Sequence, residues 1–324
     1  MKNNLNILTN EFHKYKQKIF YESKNIRRLY EEFYKKLLPQ QLLVLNSYKG
    51  NHYIEINTFM YDREKYFKDI HFDLINTLRN IYKNKKKSKL PLKTIQEELL
   101  NKALQHYNNT INQIEVIDKI LTKVPPTIHK YIVYRGISID RKNFKQKKIY
   151  NNLHNLQHGD KYSFDSFLSC SLMNMVSFDF SKTAFVTNDN LSACCILKIN
   201  IPKGSRVLYM DMEKNTYGYS KKPENTIFLW SEYEFLLPRA AILKFKDSFN
   251  ISGFIPDIAP RSVYKNNHKI TDLKILEFDF VGIKKNREKI TCKRSKELIK
   301  DINYIPFNYY HENILNEIKK KINK

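Results

Sequence analysis

Glycine is scarce in this chain: there are 7 in 324 residues. That excludes a collagen-like or Gly-rich low-complexity protein. Cysteine is scarce too. Cys170, Cys194, Cys195 and Cys292 include no C-x-x-C pair, so zinc-finger spacing is missing. Acidic residues number 33 against 57 Lys and Arg, a net charge of +24. No apolar run approaches the length of a membrane span. The opening "MKNNLNILTN" lacks the apolar core of a secretory signal. The expectation is a reducing, intracellular and cytoplasmic setting, or a host cytoplasm for a viral or effector protein, with Cys194 and Cys195 reduced and packed.

What is present supports a folded chain. Apolar residues make up 42%, enough for a real core and too many for wholesale disorder. Asn, Lys, Ile and Tyr are conspicuous, as an AT-rich coding sequence would produce. The positive field favours an acidic protein face, nucleic acid or an anionic surface; compositional drift toward Lys is the alternative. The runs at Lys83–Lys89, Arg141–Lys148 and Lys319–Lys324 read as solvated loops or tails, with no stacked aromatic pattern of a nucleic-acid motif.

The first third is helical by periodicity. Phe12, Tyr15, Ile19, Ile26, Leu29, Phe33 and Leu37 form one stripe, stopped by Pro39. "YKGNHYIEINTFMY" reads as irregular. Phe67, Ile70, Leu74, Leu78 and Ile81 form a second stripe. Leu99, Ala103, Tyr107, Ile111, Ile114, Ile117 and Leu121 form a third, ended by Pro125 and Pro126.

Short strands follow: "YIVYRGI", "FDSFLSCSL", "ACCILKINI", "RVLYM", "EYEFLLP" and "AAILKFKD". Gly136, Gly159, Gly204 and Gly218 punctuate them. "LKILEFDFVGI" reads as a further strand and "ENILNEIKKKI" as a terminal helix. Helices first and strands second define an α+β fold.

Three features of the strand-rich half carry chemistry. Arg135 lies inside an apolar strand before Gly136. It either sits in water at a strand end or meets an anion, for which its planar fork suits a phosphate. Ser169 and Ser171 share one strand face. That face is either merely solvated or able to hold a carboxylate or a ribose hydroxyl. Glu232 and Glu234, in "SEYEFLLPR", share a strand face roughly 6.5–7 Å apart. A solvated edge would explain them, but apolar residues flank them on both sides. Paired carboxylates suit chemistry through an oxocarbenium-like state.

In the order Arg, Ser-x-Ser, Glu-x-Glu, the chain resembles the mono-ADP-ribosyltransferases of the Arg-Ser-Glu class, similar to arginine-directed, bacterial-toxin-like enzymes. "VYRG" looks like the family's first core strand. "GDKYSFDSFLSCSL" looks like its aromatic-Ser-Thr-Ser strand, with Cys170 in place of the central Thr. "LKINIPKGSRVLYM" is similar to the strand and turn that follow. "SEYEFLLPR" is similar to the catalytic strand. "NSYKGNHYIEIN" and "LINTLRN" resemble the helical lobe, with an insertion between them.

The resemblance implies an N-terminal helical lobe followed by a mixed β-sandwich core that binds NAD. It implies an extension over 1–39, a transferase domain over 40–250 (helical lobe about 40–125, β-rich core about 126–250) and a C-terminal extension over 251–324. NAD would be the substrate, with no metal. Arg135 would grip an NAD phosphate, and Gly136 would meet the nicotinamide amide through its backbone. Ser169 would orient Glu234, which would stabilise the oxocarbenium ion. Glu232 would position and deprotonate the acceptor; a Glu there goes with arginine. Phe180 would stack on nicotinamide, with Phe178 competing for that role. The implied activity is transfer of ADP-ribose to a protein, a glycosyl transfer that releases nicotinamide. An inactive basic binding module on the same fold and ADP-ribosylation of nucleic acid stay open as alternatives.

Overall fold

The computed structural model describes residues 2–63, 65–66, 69, 92–139, 144–174, 176–177, 193–211, 233–254, 269–285 and 290. By its internal contacts the chain forms two units. One comprises Met1–Lys49 and Ile117–Arg287, the other Gly50–Val116 and Glu288–Lys324.

The first unit begins with α1 (Lys2–Lys35). Its buried face is Ile19, Ser23, Ile26, Tyr30 and Tyr34, spaced by three and four residues as a helix requires. Leu29 and Phe33, which periodicity favours, are only half-buried. The two tyrosines win the core because their hydroxyls find acceptors there. Tyr30 donates to the carbonyl of Val207 at 2.6 Å and Tyr34 to that of Tyr209 at 2.8 Å. Helix α2 (Pro39–Ser47) starts with proline at its first position, where a missing N–H is harmless. Gln41 Oε1 accepts the N–H of Leu38 at 2.9 Å. The chain then kinks through Tyr48–His52, with Gly50 outside helical geometry.

Eight strands form one hydrogen-bonded mixed sheet. They are β1 (Tyr131–Ile139), β2 (Lys161–Phe164), β3 (Leu168–Ser171), β4 (Ala193–Ile201), β5 (Leu208–Tyr209), β6 (Glu234–Leu237), β7 (Ala241–Phe254) and β8 (Lys269–Ile283). Their order is β2-β7-β8-β4-β1-β3-β6-β5. The β4–β8 pair is parallel and the other pairs are antiparallel. Central β4 buries Cys195 through Leu197, Ile199 and Ile201, the near-continuous apolar run of a strand covered on both faces. "FDSFLSCSL" divides into β2 and β3 at Asp165, Ser166 and Phe167, rather than forming one strand.

Edge strand β5 would leave polar backbone exposed. Helix α1 closes it: besides the two tyrosines, Arg27 Nε donates to the carbonyl of Asp211 at 2.7 Å. Helix α5 (Phe144–His154) covers part of what reads as a Lys-rich loop. Its sequence shows little apolar repeat, and Leu153 is its deeply buried side chain among those described.

The second unit holds α3 (Tyr53–Tyr61) and most of α4 (Leu92–Lys123), which continues into the first unit. "YIEINTFMY" is thus helical, not irregular. Ile56 and Phe59 are buried with Asn57 and Thr58 between them, and those polar residues obscure the period. Phe59, Tyr66 and Tyr107 pack edge-on at 5.1 and 5.6 Å. Beside them Glu55 accepts from Thr110 at 2.8 Å and pairs with His106. Burial pushes the Glu55 carboxyl up, but hydrogen bonds from His106 and Thr110 outweigh it and hold the carboxyl low. The stripe from Phe67 to Ile81 and the terminal helix at 312–322 lie outside the described residues, apart from Asp69. Among the described residues no helix is long and apolar enough to cross a membrane.

Candidate active site

Strands β1, β3, β6 and β5 are neighbours in that order, so Arg135, Ser169 and Glu234 come from three adjacent strands. The register sets Ser171 opposite Glu234 and Ser169 opposite Leu236. Opposite residues of an antiparallel pair point to the same face, so both serines share the face of Glu234. Cys170, opposite Phe235, turns the other way, where burial pushes its thiol up to about 12. A cysteine in the middle of Ser-x-Ser therefore stays protonated and out of the site.

Ser169 Oγ donates to Glu234 Oε1. Arg135 Nη1 donates to the carbonyl of Ser169 at 2.8 Å. The arginine thus fixes the backbone that presents the serine, and the serine fixes the carboxylate. A guanidinium has five N–H donors, and this bond uses one. Gly136 lies beside Arg135 in β1, opposite Ile196 of β4. Glu234 is 5% exposed, so its charge acts in a largely water-free setting where electrostatic interactions are strong.

The entry to β6 is unusual. Tyr233 has φ 47°, a left-handed conformation rare for a bulky residue and costing about 1–3 kcal/mol. Two bonds hold it: its N–H donates to Asp211 Oδ2, and its carbonyl accepts from Leu172 N at 3.0 Å. Glu234 is secured on its other side, where its carbonyl accepts from Met210 N at 2.8 Å. Because β6 begins at Glu234, the strand pleat does not run back through Tyr233. The shared-face argument for Glu232 and Glu234 therefore loses its premise. Glu232, Phe178 and Phe180 lie outside the described residues.

Two charged residues that motif reasoning passes over complete the site. Lys49 Nζ pairs with Asp211 Oδ1 and lies 3.9 Å from Glu234 Oε2. Asp211 is buried. Its one sequence signal is an acid closing the apolar run "VLYM" in an acid-poor chain. Among the described residues no group of three or more His, Cys, Asp or Glu could hold a metal ion.

The chain belongs to the ADP-ribosyltransferase exoenzyme family, whose model matches residues 26–277. It is thus an ADP-ribosyltransferase of the toxin-like kind, with NAD as the substrate. Solved structures similar to it include the ADP-ribosyltransferase Vis from Vibrio splendidus. That pair is 12% identical with TM-score 0.46, covering 84% of this chain and 88% of the other. Plx2a, a toxin from Paenibacillus larvae, is 17% identical with TM-score 0.43, covering 81% and 96%. The enzymatic component C2-I of the Clostridium botulinum C2 toxin is 16% identical with TM-score 0.40, covering 78% and 46%. No curated protein sequence matches the chain.

Proposed function

We propose that the chain transfers a single ADP-ribose from NAD to an arginine side chain of a protein. The observation that carries this reading is the Arg135–Ser169–Glu234 relay, in which three motif residues meet through two hydrogen bonds. Remaining N–H groups of the Arg135 fork would bind an NAD phosphate, and the Gly136 backbone would meet the nicotinamide amide. Glu234 would sit beside the ribose as the C1′–N bond breaks. Nicotinamide leaves with the bonding electron pair, and the buried carboxylate stabilises the oxocarbenium ion left behind. A guanidinium nitrogen of the target then attacks C1′ and gives up a proton, for which Glu232 is the proposed acceptor. The Glu-x-Glu pair supports arginine as the acceptor, because a guanidinium needs a carboxylate base where water needs less help. Phe180 is the proposed stacking partner of nicotinamide.

The test separates the two glutamates. Nicotinamide release is followed with and without agmatine as acceptor, on proteins with wild-type melting. Glu234→Gln should abolish hydrolysis and transfer alike, since an amide supplies no negative charge. Glu232→Gln should lose arginine transfer by about 10²-fold or more and keep most of the slow hydrolysis. Retained hydrolysis in Glu234→Gln would overturn the assignment. Equal loss of both activities in Glu232→Gln would overturn the division of labour.

A further inference from the structure

Lys49 places a positive charge beside the carboxylate that has to stabilise a positive ion. That looks self-defeating until the two distances are compared. The ammonium is ion-paired with Asp211 Oδ1, while Glu234 Oε2 stands 3.9 Å away. The Lys49 side chain is 29% exposed, whereas those of Asp211 and Glu234 are 5% and 7%. Two carboxylates this deeply buried disfavour each other's ionisation. An ammonium bonded to one and near the other offsets that penalty for both. Were Lys49 bonded to Glu234 itself, it would neutralise the charge the reaction needs.

The surroundings keep the ammonium where it is. Tyr48, fully buried, packs edge-on against Phe167 at 5.9 Å just before β3. Asp211 is fixed by the Tyr233 N–H on its second carboxylate oxygen and by Arg27 on its carbonyl. We propose that Lys49 is a positioning residue for Glu234. Tethered by Asp211, it keeps the buried carboxylate ionised and aimed from 3.9 Å away. The proposal rests on reading Glu234 as the catalytic carboxylate.

Among the described residues, the other titratable or charged groups around Glu234 are the Cys170 thiol from β3 and Arg135 from β1, which acts through the Ser169 carbonyl. The segment after β5 adds Asp211, with Arg27 of α1 behind it, and Tyr233 precedes Glu234 in the chain. Lys49 is the cation that reaches both Asp211 and Glu234.

The experiment measures nicotinamide release from NAD, without acceptor, across pH for the full chain and for Lys49→Met, Lys49→Arg and Glu234→Gln. Lys49→Met should move the acid limb of the kcat profile upward by about one pH unit or more, the effect of removing an opposite charge at this range. Its rate should recover toward higher pH. Lys49→Arg should keep the acid limb in place. Should Lys49→Met melt early, Lys49→Gln provides the same charge removal with a polar tip. A Lys49→Met profile that superimposes on wild type overturns the proposal. So does a uniform loss at every pH, which marks a merely structural lysine, or a higher plateau, which marks an ammonium opposing the cation. If Glu234→Gln is dead and the Lys49 profiles are unchanged, this inference alone fails. If Glu234→Gln hydrolyses NAD, the catalytic reading fails and takes the inference with it.

Discussion

Removing Asp118 should destabilise the fold more than any exposed ion pair could. Arg239 follows β6 by two residues and is 5% exposed. Its Nε and Nη2 both reach Asp118 Oδ2 of α4, each at 2.7 Å. Asp118→Ala removes the carboxylate oxygen that two nitrogens of a buried guanidinium share. Breaking such a pair from one side costs about 3–5 kcal/mol, because the surviving charge is stranded. The unfolding entropy of a chain this long is about 0.7 kcal/mol per kelvin, at about 2.1 cal/mol/K per residue. For cooperative unfolding the melting point should therefore fall by about 4–7 °C. Removing both charges behaves differently: Asp118→Leu with Arg239→Met exchanges a desolvated pair for apolar contact. Such exchanges are often neutral or stabilising, so the double variant should recover most of the loss. Urea unfolding followed by circular dichroism gives the free energies, and calorimetry gives the melting points. A loss below about 1 kcal/mol in Asp118→Ala would show that the pair behaves as a surface ion pair. A double variant worse than the single would show that the charges themselves hold the turn after β6, and the reasoning would fail.

Two further outcomes follow from the same physics. Tyr30→Phe and Tyr34→Phe should each strand a carbonyl at the β5 edge and lose about 1–2 kcal/mol by urea unfolding; because β5 pairs with β6 next to Glu234, nicotinamide release should fall as well, and stability loss without activity loss would uncouple the edge from the site. Glu277 is held down to about 2 from the ordinary 4.5, first by its hydrogen bond to Lys198, against an opposing push from burial, and then by Asn200 and Lys246. A depressed carboxylate contributes stability above its unfolded value that disappears as pH falls through its folded one. Wild type should thus lose more melting temperature between pH 4.5 and 2 than Glu277→Gln does, and parallel curves would refute this.

The sequence grouped the proposed site residues better than it showed how they are held. Arg135, Ser169 and Glu234 were legible because each breaks a local pattern: a fork in an apolar strand, hydroxyls at strand period, a carboxylate between apolar flanks. The structure brings these three together. Helices α1 and α4 were legible as long stripes, but the choice of buried face in α1 was not. Periodicity prefers Leu29 and Phe33, and it does not see that β5 offers carbonyls 207 and 209 to the hydroxyls of Tyr30 and Tyr34. Helices α3 and α5 escaped because one is short with polar residues in its core and the other is mostly polar.

The least legible feature is the backbone next to Glu234. Reading "EYE" as strand follows from residue type, since Tyr favours extended backbone. No local rule predicts φ 47° at that tyrosine. The conformation exists because Asp211, from a separate part of the chain, accepts its N–H while Leu172 donates to its carbonyl. The same Asp211 holds Lys49 near Glu234. One acid thus fixes both the backbone entering β6 and the charge beside its first residue. Asp211→Ala should therefore disturb Glu234 by two routes at once, which is why substitution of Lys49, acting through one, is the cleaner probe of the electrostatic part.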